Sequence, residues 1–593
     1  MSGASSRTAR GLPGVLLLAA VLAAAACGNN PYPEADQERK ILYTTIGEAP
    51  RTLDPAVAYN VTAHQITGLV YDTLLEYHYL KRPYTLIPGL ATAVPQPDRR
   101  EDGRTAYRFE LRRGVRFAED PAFELGAPGR RTREVVAEDV AFQLQRLADP
   151  AVNSPVTDPF SSIAGFRAFG ERLTALAAEE PGFEARPARE RYAAAGGIEG
   201  VRVRGSHALE VELARPYPQI LYWFAMEFTT PVPWEAVAYY DGREERPRFE
   251  DHPVGTGPYR LTRYDKQFQV VLERNPGWYG ADPRHRGAPG TVYPSEGAPG
   301  DAEAGLLEDA GEPLPFIRRV EFRREKEAIP QFNKFLQGYY DSGGIVKESF
   351  DEVIQNDRLS PELAARGISL EKAISPSVFY LGFNMTDEEV GEPAGERGRR
   401  LRQAMSLAVD APAWIELFLN GRGVPAQSPI PPGLFGHEPG YENPFRRVDL
   451  ERARALLEEA GYPGGVDPET GRPLELTFDT YMTSSEQLLQ VQFLVNAWRE
   501  IGLDVEVAPT TYNQFQQKVE NQAYQIFLWG WQADYPDPEN FLFLLTCDMR
   551  RSTKGGPNTA NFCDARYDRL FERMKVMDNG PAREAVIREM IGI

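Results

Sequence analysis

The sequence predicts an α/β protein, and three observations carry that prediction. Apolar residues recur at a 3.6-residue spacing over 398–409, 449–460 and 485–501, the pattern of helices with one buried face. Short β-branched and aromatic runs near 474–479, 503–507 and 524–529 alternate with them, which implies a lobe built on a largely parallel sheet. Composition supplies the third: 593 residues with 42% hydrophobic, 11% aromatic and 25% charged side chains form an ordinary globular balance. That length has room for about three or four domains.

The other elements follow in order. ILYTTIG at 41–47 reads as a strand, followed by the turn Leu53-Asp54-Pro55 and an amphipathic helix over 63–75. A short strand is expected at 108–111 and a helix at 137–147, with Glu138 and Asp139 in its first turn, where the helix dipole favours acids. Strands near 201–204 and 208–213 flank a turn at Gly205-Ser206. Residues 165–197, rich in Ala, Glu and Arg, and 280–314, rich in Gly, Pro and acids, read as surface insertions. The pattern resumes with the strand IRRVEF and a helix near 327–338. Gly461 and Gly502 follow the second and third C-terminal helices, where left-handed caps fit.

Residues 1–26 read as a leader. Arg7 and Arg10 precede an apolar run from Gly14 to Ala26. That run is too short for the roughly 20 residues of a membrane span and suits a signal-peptide core. Ala24-Ala25-Ala26-Cys27-Gly28 resembles a bacterial lipobox, in which the cysteine is diacylated and becomes the new N-terminus. The alternative is a plain secretory leader with Cys27 incidental. No later apolar stretch approaches membrane length, so a soluble body tethered outside the cytoplasm through lipid on Cys27 is expected. If Cys27 carries lipid, Cys547 and Cys563 remain as an even pair, either bonded or two free thiols.

Several function classes fall away. Acids outnumber bases, 85 to 66, for a net charge of −19, and no basic aromatic strip offsets it, so nucleic acid is excluded as a partner. The six histidines show no metal-ligand spacing, and two cysteines without a nearby His do not make a zinc site. No nucleophile elbow or phosphate loop is present. Gly255-Thr256-Gly257 runs into Pro258 and reads as a turn before a strand at 259–263. Asp534, Asp537 and Glu539 lack the glycine and spacing of a calcium loop. Neither metal, nor cofactor, nor enzymatic activity is expected.

Six ordered blocks then resemble a known family. They are LRRGVRF (111–117) with AEDVAF (137–142), HPVGTGPYRL (252–261) with LERNPGWYG (272–280), FYLGFNM (379–385), LRQAMSLAVD (401–410), ERARALLEEAGYPGG (451–465) and GWQADYPDPENFL (530–542). Together they are similar to the extracytoplasmic solute-binding proteins of ATP-driven oligopeptide and dipeptide importers, bacterial solute-binding family 5. The resemblance implies a two-lobed, periplasmic-binding-protein-like α/β fold with a hinge, lobe I carrying an extra subdomain. It sets a tether at 27–40, lobe I at 41–371 and lobe II at 372–593. The chain ends at Ile593 in what corresponds to the helix before the family's return to lobe I, so that return is expected to be missing.

Site residues follow by the same resemblance. Asp534 matches the acid that binds a peptide ammonium, on a loop stiffened by Pro536 and Pro538. Trp531 walls the pocket, while Trp529 on the same strand face is equally suited to the core. The backbone of Gln532 and Ala533 matches the segment that pairs with ligand, and Thr45, Ile46 and Gly47 supply the opposing backbone contact. Such strand addition is indifferent to ligand side chains. Tyr71 and Tyr380 are further candidates, each also readable as a core aromatic; Asn384 reads as a structural polar residue. Relatives of the dipeptide type carry a cysteine pair around this loop, which implies a Cys547–Cys563 disulfide. Dipeptide-selective relatives also place an Arg in the loop corresponding to 481–486, and here that loop has none, which favours longer peptides. The implied partners are a peptide, an ABC permease and the membrane through Cys27, for a monomer in the cell envelope. Alternatives are the same fold binding an oligosaccharide, nickel chelate, haem or opine, an envelope enzyme, or a periplasmic chaperone.

Overall fold

The computed structural model describes residues 31–593, apart from 83, 242–247, 373 and 578. Cys27 and the leader lie outside the described residues. Packing divides the chain into two units: the segment up to Ala49 with Leu261–Arg274 and Phe316–Val346, and Pro50–Arg260 with Asn275–Pro315 and Lys347–Ile593. The expected boundary at 371 is not where packing divides the chain. Three distant segments of the expected lobe I gather as a body of their own, and the rest of that lobe packs with the C-terminal half.

The first unit is built on a four-stranded sheet ordered Ile41–Ile46, Arg319–Arg324, Gln269–Arg274, Tyr259–Asp265. The first pairing is parallel and the second antiparallel. The helix Ala328–Leu336 buries Phe332. Part of the expected tether is docked here: Tyr32 stacks on Tyr43 at 3.7 Å and its hydroxyl accepts from Arg323 at 2.6 Å. The reason is the Arg323 guanidinium, which holds both rings through its face.

In the second unit, a sheet ordered Asp98–Arg99, Thr105–Glu110, Ala208–Leu213, Val201–Val203 is antiparallel throughout. The helix Ala137–Ala148 buries Val140, Leu144 and Leu147 in the same core. Residues 165–197 are not a surface insertion. They form the helices Phe166–Glu179 and Ala188–Ala194, whose Phe166, Phe169, Leu173 and Tyr192 complete that core. Residues 280–314 are mostly turns, tied by one bridge between Val292 and Pro313.

The expected helix over 63–75 ends earlier, as Val61–Val70. The GTG turn stops it: the Gly257 N–H donates to the Val70 carbonyl at 2.8 Å, and a Cβ on Gly255 would lie 2.1 Å from that oxygen. The central sequence block is thus a close backbone approach that only glycine permits.

A second sheet, ordered Ser377–Phe383, Ile526–Gln532, Leu476–Thr480, Val505–Pro509, is largely parallel as expected, with one antiparallel edge. Its opening strand Ser377–Phe383 runs antiparallel to Ile526–Gln532, and the other pairings are parallel. Helices Gly395–Ala408, Leu450–Glu459 and Ser485–Glu500 bury Leu401, Leu457 and Trp498 against it. Gly461 and Gly502 take the left-handed conformation, at φ 88° and 99°. Cys547 and Cys563 form a disulfide across a separation of 16 residues.

Candidate functional site

The strand Ile526–Gln532 delivers the GWQADYPDP loop, and the sheet dictates where its side chains go. Trp529 lies opposite Tyr380 and Trp531 opposite Val378. Trp529 joins an aromatic core with Phe515, ring centroids 5.0 Å apart. Trp531 turns instead toward Tyr59, edge to face at 5.7 Å, and its indole N–H donates to Asn540 at 3.2 Å. Gly530 between them leaves space for the Phe379 ring, which a Cβ would meet at 2.6 Å.

Asp534 occupies a polar cage. One carboxylate oxygen accepts from the Tyr59 hydroxyl at 2.5 Å and from the Asn540 amide at 2.8 Å. Its own backbone N–H donates to the Asn540 side-chain oxygen at 2.8 Å. Asn540 is fully buried, so this clamp is rigid. Asp534 remains half-buried at its surface, yet protein surrounds the carboxylate. Burial pushes its pKa up to about 6, against the downward pull of Tyr59, Asn540 and nearby His64. His64 pairs with Glu227 at 2.8 Å, and that bond raises its own pKa. No Lys or Arg among the described residues pairs with Asp534. A carboxylate whose hydrogen-bond donors among the described residues are neutral, beside an aromatic wall, can receive a cation.

The neighbouring acids serve structure. Asp537 makes two hydrogen bonds with buried Arg583, at 2.7 and 2.9 Å. Glu539 accepts from Tyr535, whose ring packs against Trp223 at 5.5 Å within the first core of this unit. Burial lifts Glu539 to about 7. Among the described residues no group of three His, Cys, Asp or Glu could hold a metal.

The remaining predicted residues separate. Gln532 is exposed at the end of its ladder, opposite Ser377. The Ala533 N–H is already committed to the Pro376 carbonyl at 2.8 Å, because the hinge-side strand continues past the ladder; only the other backbone groups of this segment are candidates for a ligand. Tyr71 is core, 2% exposed, because the GTG turn packs on its ring. Tyr380 is partly buried with Phe527 at 6.1 Å. Asn384 is fully used, by the Tyr524 carbonyl, Thr386 and Asn561. Tyr59 and Asn540 were missed by the sequence reading. Tyr59 has no local signal, and Asn540 lies inside a quoted block whose only singled-out ligand was Asp534.

In the first unit, Thr45, Ile46 and Gly47 lie on an edge strand. The Ile46 carbonyl accepts from Glu325 at 3.0 Å, facing the neighbouring strand. Alternation turns the backbone groups of Tyr43 and Thr45 to the open edge, where Asp341 takes those of Tyr43. The Thr45 hydroxyl accepts from Gln331.

A model of the bacterial extracellular solute-binding proteins, family 5 (middle), matches residues 85–550. The dipeptide-binding protein of Escherichia coli (strain K12) is 21% identical, over 93% of this chain and 86% of that protein. Heme-binding protein A of Haemophilus influenzae is 24% identical, over 92% and 82%. An ABC transporter-associated periplasmic binding protein from Helicobacter pylori, solved with the peptide STSA, superposes with a TM-score of 0.69. It is 19% identical and covers 94% of this chain and 91% of its own, which establishes the α/β periplasmic-binding fold.

Proposed function

Because the chain belongs to the bacterial extracellular solute-binding proteins of family 5, which are binders and not enzymes, we propose that it is the lipid-anchored substrate-binding component of an ATP-driven peptide importer. In this reading it captures oligopeptides by lobe closure and delivers them to a membrane permease. The observation that carries the reading is Asp534, a partly desolvated carboxylate whose hydrogen-bond partners among the described residues are the neutral groups of Tyr59 and Asn540. A peptide ammonium is the cation that such a site completes, since burying a charge unpaired is costly. The relatives named for dipeptides support the ligand class.

Melting the purified protein against free peptides, N-acetylated peptides, an oligosaccharide, a nickel chelate and haem tests the ligand class. Peptides with a free amino group should raise Tm, and the shift should grow with the logarithm of peptide concentration above Kd. Stabilisation by haem, sugar or nickel chelate alone would overturn the reading. The anchor is tested separately: Cys27→Ser should move the protein from the membrane fraction to the soluble one.

A further inference from the structure

The proposed anchor enters the fold through the first unit, and that unit carries a second feature suited to a membrane. Cys27 lies five residues before Tyr32, a stretch of chain that reaches about 18 Å at most. Tyr32 is fixed in place. Its ring stacks on Tyr43, the Arg323 guanidinium lies over both rings at 5.3 and 5.0 Å, and its hydroxyl donates to the Tyr339 carbonyl at 3.0 Å. The helix Glu34–Glu38 continues this strap, with Asp36 accepting from the Tyr43 hydroxyl at 3.1 Å. A lipid on Cys27 therefore keeps Tyr32 and the sheet beneath it within about 18 Å of the bilayer surface.

The clamp on Tyr32 and a hairpin tip share one end of that sheet. Arg323 pairs in register with Gln269, and the Arg324 N–H donates to the Phe268 carbonyl at 3.0 Å. Phe268 closes the turn between the strands Tyr259–Asp265 and Gln269–Arg274. Asp265 pins the turn by accepting from the backbone N–H groups of Gln267 and Phe268 at 3.0 and 3.2 Å, and the Phe268 ring stands out from it, 71% exposed. Cations surround the ring. Lys266 precedes it in the turn, Arg324 adjoins it across the ladder and donates to Gln267 at 3.3 Å, and Lys326 follows two residues on, exposed. Among the described residues no carboxylate pairs with Arg324 or Lys326. Of the acids at this end, Asp265 is taken by Arg263 and the turn, Glu325 by Lys334 and Tyr340, and Glu327 stays exposed. A lone exposed phenylalanine is ordinary on a protein surface. One on a pinned tip among cations, in a chain of net charge −19, has the pairing of aromatic and basic groups that fits the headgroup region of an anionic bilayer.

We propose that this hairpin tip is a second membrane contact: Phe268 enters the headgroup region of the bilayer that holds the anchor, and Lys266, Arg324 and Lys326 meet its anionic lipids. The proposal deepens the anchored reading above and rests on it. A lipid on Cys27 attaches the chain without orienting it; the strap and the hairpin together turn one end of the first unit's sheet to the membrane.

A fluorophore on Gln267→Cys tests it, because the Cys547–Cys563 disulfide and a lipidated Cys27 leave no other thiol to label. The lipidated protein is placed in vesicles of phosphatidylcholine, alone or mixed with phosphatidylglycerol, some lipids carrying a nitroxide on the headgroup. With phosphatidylglycerol present the nitroxide should quench this probe strongly. It should quench little a probe on Glu273→Cys, at the far end of the same strand, about 20 Å along. Phe268→Ser should lose most of the quenching, and so should molar salt, which shortens the screening length to about 3 Å. Lys266→Glu and Lys326→Glu should each weaken the contact by at least about fivefold. Tyr32→Ala, which loosens the strap, should reduce quenching while the protein stays in the membrane fraction. Equal quenching at both probe positions, quenching unchanged in Phe268→Ser, or indifference to phosphatidylglycerol would each overturn the proposal. Wild-type protein missing from the membrane fraction would defeat the anchor reading, and this proposal with it; membrane-bound protein whose tip probe is not quenched defeats only the hairpin contact.

Discussion

Replacing Asp534 by Asn separates binding from folding. In the empty protein the carboxylate is held up at about 6 from an ordinary 3.8, chiefly by burial. A shift of about two units corresponds to roughly 3 kcal/mol at most, and solvent at a half-buried group reduces that to about 1–2 kcal/mol. The sign is unfavourable. The folded state binds the extra proton, so stability falls as pH rises from about 4 through 6, and the whole penalty is present at pH 7. Asp534→Asn keeps the acceptor for Tyr59 and removes the charge, so the empty variant should melt no lower than wild type at pH 7 and show no gain at pH 3. Ligand binding should move the other way. Losing one partner of a shielded ion pair costs about 2–5 kcal/mol, or roughly 30- to 4,000-fold in Kd. Wild-type affinity should also fall below about pH 6, as the carboxylate protonates. Calorimetry with one peptide, free and N-acetylated, on both proteins forms a double-mutant cycle. Equal loss from acetylation in the two proteins would refute the assignment of Asp534 to the amino terminus.

Three further outcomes follow from the same geometry. Glu539 is raised from 4.5 to about 7 by burial, so wild-type stability should decline between about pH 4.5 and 7; Glu539→Gln should flatten that decline, by up to about 3 kcal/mol, in urea melts across pH. Arg583→Met strands Asp537 in the core and should lower unfolding free energy by about 3–5 kcal/mol, whereas a companion Asp537→Leu on that background should recover much of the loss. Reducing the Cys547–Cys563 bond frees a loop of 16 residues' separation and should cost about 3 kcal/mol in the chain-entropy account, read as a lower Tm with reductant.

The C-terminal helices were legible because a helix packed on one face of a sheet writes its burial into a 3.6-residue repeat, as Leu401, Leu457 and Trp498 do. The helix from Val61 was overrun in the reading because apolar residues continue past Val70; only the distant GTG turn stops it. Residues 165–197 misled for the opposite reason. Four large apolar side chains seat two helices otherwise rich in Ala, Glu and Arg, so composition reads as solvent while packing reads as core. In the site, Asp534 was legible through its block, but its cage was not. Tyr59 stands 475 residues away in sequence, and nothing near it marks a contact of that range.

Three other buried acids of the same unit have a charged partner that Asp534 lacks, while Glu539 and Asp72 are buried with neutral donors as Asp534 is. Asp54 is held by Arg146 at 2.6 and 2.9 Å, Asp139 by Arg133 at 2.6 and 2.7 Å, and Asp537 by Arg583 at 2.7 and 2.9 Å. Each has a guanidinium presenting two N–H groups, the arrangement that compensates a desolvated carboxylate within the fold. Asp534 is three residues from Asp537 on the same Pro-stiffened loop, with neutral donors and no such partner. Left with Tyr59 and Asn540, Asp534 raises the free energy of the empty protein, and a bound ammonium relieves that penalty. Stability and affinity are thereby coupled through one group: at saturating peptide the wild type should be protected against unfolding more than Asp534→Asn, by RT times the logarithm of the ratio of their dissociation constants.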